Sequence, residues 1–278
     1  MTCLHMRLVV RAVALSVAAI VLAACGQAGD PSVTAPAAAS PSDQKVPTWT
    51  LVALGDSWPE GAHCGYCRTF AGLYADGLES SSDGPIEFVD LTGAAQPNWD
   101  TMGGGTEELL EALRSDQAFR DQVATGDIIM IAHGPNEIVR AVDPLQAGTC
   151  GGVDGRACIR ALGKFWYRNV DAILDEIERL RARQPTAIRL VNAANPFVSV
   201  PAMVEGLEEG FATDAGAQIF VELTNAMCTN AEEHGAICVD VRPILNGATL
   251  DKPVDENSPA SMQAVADALL ATGLPELE

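Results

Sequence analysis

From residue 48 onward the chain carries five short, largely apolar runs, at 50–54, 86–91, 127–132, 187–191 and 236–241. They are continuous rather than alternating. A strand with one wet face alternates polar and apolar residues, so unbroken runs of this length belong to strands covered on both faces. Between them lie longer stretches with apolar residues at helical spacing, at 69–78, 107–122, 159–183, 215–234 and 261–270. Strand–helix alternation of this kind predicts an α/β fold: three layers, with five parallel strands sandwiched between helices. No internal repeat interrupts the pattern. A chain of 278 residues that is 48% apolar can fill one such core, and is short for two domains.

The N-terminus has a different character. Arg7 and Arg11 flank an apolar run over 13–24, which is too short for a comfortable membrane span and suits a signal peptide. Met6 gives an alternative start. The run ends Leu22-Ala23-Ala24-Cys25, which resembles the lipobox of bacterial lipoproteins, where the Cys is acylated and becomes the new N-terminus. The competing reading is an ordinary signal cleavage with Cys25 incidental. Residues 26–47 are rich in Ala, Pro, Ser and Gly and contain no aromatic before Trp49, a composition unable to bury enough surface to order itself. The expected organisation is therefore a signal peptide at 1–24, a lipidated Cys25 and tether at 25–47, and one domain at 48–278. The protein is expected to be exported, anchored to the cell membrane by lipid and facing outward.

Formal net charge is -20. Phosphate binding needs a basic surface, so nucleic acid is excluded as a partner. The same surface gives no electrostatic attraction to anionic lipid, leaving the lipid anchor as the only membrane contact. A monomer without metal or cofactor is expected. Eight Cys are present; Cys3 would leave with the signal and Cys25 would be acylated. The remaining six are an even number in an exported chain, which implies three disulfides, although six Cys allow 15 connectivities. Sequence proximity favours Cys64–Cys67, Cys150–Cys158 and Cys228–Cys238. Cys64-Gly-Tyr-Cys67 also reads as a redox pair or half a zinc site, but neither a thioredoxin-like context nor a matching second pair accompanies it.

Three strand ends carry residues suited to acyl chemistry. The first run leads into Gly55-Asp56-Ser57, a strand followed by a sharp turn able to expose a nucleophilic hydroxyl. Ser57 is equally suited to capping a helix. The second run ends at Gly93, where a backbone N–H can approach a ligand oxygen, or where the chain simply turns. The third ends in Gly134-Pro-Asn136-Glu137, whose Asn amide can donate to a developing oxyanion or merely shape a turn. Two irregular stretches, 144–155 and 195–210, border strand ends and are candidate substrate walls.

These blocks, in this order, resemble the SGNH (GDSL-type) hydrolases over about residues 48–274. The resemblance implies a flavodoxin-like three-layer sheet. It also implies a Ser57 nucleophile and an oxyanion hole formed by the Ser57 and Gly93 N–H groups and the Asn136 amide. Glu137 stands where the family carries Asp. The substrate class implied is a small ester, a lipid or an acylated carbohydrate.

One departure bears on activity. The family's last block is Asp-x-x-His before Pro and an Ala-rich helix; this chain has Asp255-Glu-Asn-Ser258-Pro259. Ser258 thus occupies the position of the general-base His. The chain's four His are His5, His63, His133 and His234, none of them beyond 234. A serine hydroxyl needs a base poised near neutral pH, and imidazole is the usual one. His63 and His133, both near strand ends, are candidate substitutes. Two expectations follow: a weak ester or acyl hydrolase, or an inactive binding lipoprotein that keeps the fold.

Overall fold

Seven residues, Trp49–Gly55, form β1, and the chain then makes a single helical turn, α1 (Ser57–Glu60). The computed structural model describes residues 48–61, 64–65, 67–82, 84–94, 105–133, 136–137, 144, 147–195, 214–249 and 257–277. The signal peptide, Cys25 and the tether lie outside these residues, as do His63 and Asp255. So does most of the stretch 195–210.

After α1 come α2 (Phe70–Ser81), β2 (Ile86–Thr92), α3 (Thr106–Ser115), α4 (Gln117–Val123) and β3 (Ile128–Ala132). They are followed by α5 (Ala157–Arg181), β4 (Ala187–Val191), α6 (Asp214–Glu233), β5 (Ile237–Val239), α7 (Arg242–Leu245) and α8 (Pro259–Leu270). All described residues fall in one unit, Lys45–Glu278.

The five strands form one sheet in the order β2-β1-β3-β4-β5, and every pairing is parallel. Strand order reverses direction at β1, whose neighbours are β2 and β3. Ligands of open α/β sheets bind beyond the strand C-termini at such a switch point.

The pleat sorts side chains into two cores. Val52, Leu54, Ile129, Ile131, Ile188 and Leu190 face α3–α6. Leu51, Ala53, Met130, Ala132, Ala187 and Val191 face α2, α7 and α8. Every residue of β3 and β4 is buried, as unbroken apolar runs require.

The expected helix at 107–122 is in fact two helices. Asp116 takes an extended conformation (φ -86°, ψ 106°) and its side chain accepts the Phe119 N–H at 3.1 Å. A short carboxylate that caps a helix from outside competes with the helix interior, and here the cap wins.

One residue in β4 breaks its apolar pattern. Arg189 is fully buried, yet every side of its guanidinium is met. It donates to Glu276 (2.8 and 2.9 Å), the Thr272 hydroxyl (2.7 Å) and the Gly273 carbonyl (2.6 Å). The C-terminal segment is thereby tied to the middle of the sheet. At the C-terminal end of β5, Arg242 binds Asp240, Thr224 and Asn225, while Asn192 donates to Asp240 at 3.0 Å. That network joins β4, β5, α6 and α7.

The three disulfides are Cys64–Cys67, Cys150–Cys158 and Cys228–Cys238. The last ties α6 to β5. No described helix is long and apolar enough to cross a membrane.

Candidate active site

Gly55 ends β1 where no other residue fits. A Cβ there would lie 2.0 Å from the Ala132 carbonyl oxygen of β3, so the strands approach this closely only because the side chain is missing. The next residue, Asp56, caps α1: its Oδ1 accepts the Trp58 N–H at 3.0 Å. The cap is thus Asp56 rather than Ser57, and Ser57 becomes the first residue of the helix. Ser57 is half-buried at the C-terminal edge of β1. As the first residue of a helix its N–H has no intrahelical acceptor.

The Asp56 carboxylate gathers the third block. Its Oδ2 accepts from Asn136 Nδ2 at 3.0 Å, across 80 residues of sequence. Gly93 sits at the same edge, since Gly55 pairs with Thr92 and the Gly93 N–H donates to the Gly55 carbonyl at 2.9 Å. Gly93 has φ +70°, a region open to glycine. Ser57, Gly93 and Asn136 therefore come from three separate strand ends and meet at one rim. Two of the three are already hydrogen-bonded to the Gly55-Asp56 turn.

Glu137, next to Asn136, is buried and directs its carboxylate to the start of α3. Its Oε1 accepts the Thr106 N–H and the Thr106 hydroxyl, each at 2.6 Å. Thr106 in turn accepts from Asn169 of α5 at 3.0 Å. The carboxylate holds the N-terminus of α3, where negative charge suits the helix dipole. Gly105 lets it approach: a Cβ there would lie 2.4 Å from Glu137 Oε1.

His133 follows β3 and is 3% exposed. Among the described residues neither ring nitrogen has a hydrogen-bond partner, and the nearest acid is Asp56, with Nδ1 3.8 Å from Oδ2. Burial pushes its pKa from 6.5 down to about 4. The ring makes no hydrogen bond to Ser57. Ser258 caps α8: its hydroxyl accepts the Ser261 N–H at 3.1 Å and donates to the Ser261 hydroxyl at 3.0 Å. α8 packs on the α2 side of the sheet, against the core that contains Met262 and Leu269. Among the described residues, no group of three or more His, Cys, Asp or Glu side chains is placed to hold a metal ion.

His234, at the end of α6, belongs to a separate surface cluster. Its ring lies 3.1 Å from Asp171 and 2.9 Å from Glu178 of α5. Partial burial lowers its pKa, but the Asp171 and Glu178 hydrogen bonds and the neighbouring charges outweigh that and leave it raised.

No protein-family model and no curated sequence matches this chain. Solved structures do. The lipase Lip_vut3 from a goat rumen metagenome superimposes with a TM-score of 0.64 at 16% identity, covering 83% of this chain and 100% of its own. The three-layer fold is the one that the resemblance to the SGNH hydrolases implied. TesA matches at TM-score 0.50 and 13% identity, over 82% of this chain and 99% of its own. Within this fold, the strand order places Gly55-Asp56-Ser57, Gly93 and Asn136 on the edge where ligands of such sheets bind.

Asp56 is the residue that sequence reasoning passed over. Its signal was visible: an Asp directly before a short Ser-Trp-Pro-Glu segment is a helix cap. Its partnership with Asn136 was not visible, because nothing local links residues 80 apart.

Proposed function

We propose that this protein is a slow serine ester or acyl hydrolase, exported and held at the membrane through an acylated Cys25. Small esters, lipids or acylated carbohydrates are its substrate class. The observation that carries the reading is the meeting of Ser57, Gly93 and Asn136 around the Gly55-Asp56 turn, linked by the 2.9 and 3.0 Å hydrogen bonds.

In this reading the Ser57 hydroxyl attacks the acyl carbon. The Ser57 N–H, first in α1 and without a helical acceptor, donates to the developing oxyanion. The Asn136 amide joins it with its second N–H while the first stays on Asp56, and the Gly93 N–H is shared with Gly55. Donors fixed before the reaction stabilise the tetrahedral intermediate without reorganising. Turnover is slow because Ser258 supplies a hydroxyl, already used in capping α8, where an imidazole would take the Ser57 proton.

The test is hydrolysis of p-nitrophenyl acetate and butyrate by the native protein and by Ser57→Ala. Slow turnover that disappears with Ser57 supports the reading. Equal rates in both proteins would refute it.

A further inference from the structure

We propose that Glu60 serves Ser57 as its general base, an inference that rests on the Ser57 nucleophile reading above.

α1 is one turn long and cannot roll. Asp56 caps its start, and Gly61 closes its end in a left-handed conformation (φ 79°), its N–H reaching the Ser57 and Trp58 carbonyls at 3.1 and 3.0 Å. Trp58 and Pro59 are buried, whereas Ser57 and Glu60 are the two half-buried positions. Residues three apart on a helix are neighbours, with Cβ atoms about 5–6 Å apart. Ser57 and Glu60 therefore share the face turned to the rim.

The Glu60 carboxylate has a defined place there. It lies against the Gly93 Cα, so that a Cβ on Gly93 would be 2.5 Å from Glu60 Oε2 and 2.9 Å from Oε1. Oε2 is shielded from solvent. Gly93 thus does two things: it turns the chain after β2 and leaves room for a carboxylate beside the nucleophile. Among the described residues no hydrogen bond joins the Glu60 carboxylate to the Ser57 hydroxyl, so rotation about its two methylenes, or one bridging water, must close that distance during reaction.

The chemistry balances. A Glu60 carboxylate oxygen takes the Ser57 hydroxyl proton as Oγ bonds to the acyl carbon, and the carbonyl electron pair moves to oxygen. When the tetrahedral intermediate collapses, the alkoxide leaves and takes the proton from Glu60. Water then repeats the cycle: its proton goes to Glu60, its oxygen to the acyl carbon, and Glu60 returns the proton to Ser57 as the acid departs. The carboxyl is neutral whenever the oxyanion is present, so two negative charges never face each other at the rim. Carboxylate is a weaker base than imidazole, in keeping with slow turnover.

The experiment compares p-nitrophenyl ester hydrolysis by the full-length protein, Ser57→Ala, Glu60→Gln, Glu60→Ala with added formate, and the double variant Glu60→Gln with Ser258→His. The expected result for Glu60→Gln is a kcat loss of about 100-fold or more with KM nearly unchanged. Formate should restore at least about tenfold of the Glu60→Ala loss by occupying the space beside Gly93, an effect that repair of a merely structural defect would not give. Activity regained in the double variant shows the Glu60→Gln protein is folded and lacked only a base. Native activity that needs Ser57 but survives Glu60→Gln overturns the inference alone. Loss in Glu60→Ala without rescue by formate also overturns it. Turnover independent of Ser57, or none at all, overturns the hydrolase reading itself.

Discussion

Lowering the pH should destabilise this protein through His133, and the size follows from its burial. The ring is 3% exposed and makes no hydrogen bond among the described residues, and its pKa is pushed down to about 4 from 6.5. Between those values the unfolded chain binds a proton that the native state refuses, so stability rises with pH in that window. The contribution is complete above about 6.5 and is lost as pH falls toward 4. Each pKa unit is worth 1.36 kcal/mol, which gives about 3 kcal/mol over the window and about 2 kcal/mol at pH 5. The Asp56 carboxylate, 3.8 Å away, attracts the same proton and makes these upper values. The assay is urea unfolding at pH 7.5 and pH 5, followed through the buried Trp58 and Trp166, for the native protein and His133→Leu. Leucine fills similar space and cannot titrate. At pH 7.5 the variant should be as stable as the native protein or more so, by up to about 1 kcal/mol, because two unpartnered buried nitrogens are gone. On going to pH 5 the native protein should lose about 2 kcal/mol more than the variant. An equal loss in both, within about 0.5 kcal/mol, would refute the argument.

His234 should behave with the opposite sign. Its pKa is raised in the folded protein, so its stabilisation is present below the ordinary value near 6.5 and fades as pH climbs through the raised one. His234→Gln should therefore lower Tm at pH 6 and have little effect at pH 9, with a cost near 1 kcal/mol because its acidic partners are largely exposed. Glu276→Ala should cost about 3 kcal/mol in denaturant unfolding, since it leaves the buried Arg189 without its carboxylate. Gly93→Ala adds a side chain at φ +70° and drives it into Glu60, so both Tm and any Ser57-dependent hydrolysis should fall. Ser258→His should raise ester hydrolysis, modestly, because the grafted ring must be held by neighbours selected for a helix cap; a rate no higher than native would count against Ser258 standing at the base position.

Largely apolar runs were enough to predict a parallel sheet, and the central strands β3 and β4 are buried throughout as such runs require, whereas the edge strand β2, with Glu87 and Asp90 in its run, is only partly covered. The run at 187–191 matches β4 to the residue. Helix positions were legible from spacing, and the three local Cys pairs from proximity, because both depend on nearby residues. Splitting the helix at Asp116 depended on a capping hydrogen bond stronger than the local spacing suggested. The three blocks could be named from sequence, but not what binds them. Asp56 holding the Asn136 amide, Glu137 turning inward to α3 and Glu60 lying on Gly93 are contacts between segments 80, 31 and 33 residues apart. Arg189 shows the same limit: in the sequence it is a charge inside an apolar run, and only the folded C-terminal segment, 83–87 residues later, supplies the oxygens that let it stay there. Local pattern sets the helices because helix hydrogen bonds are local, and marks strands through their apolar runs even though the strands bond to distant partners. Which buried charge meets which partner is decided when the sheet brings distant strand ends to one edge, since only there are polar groups stripped of water and forced to find each other.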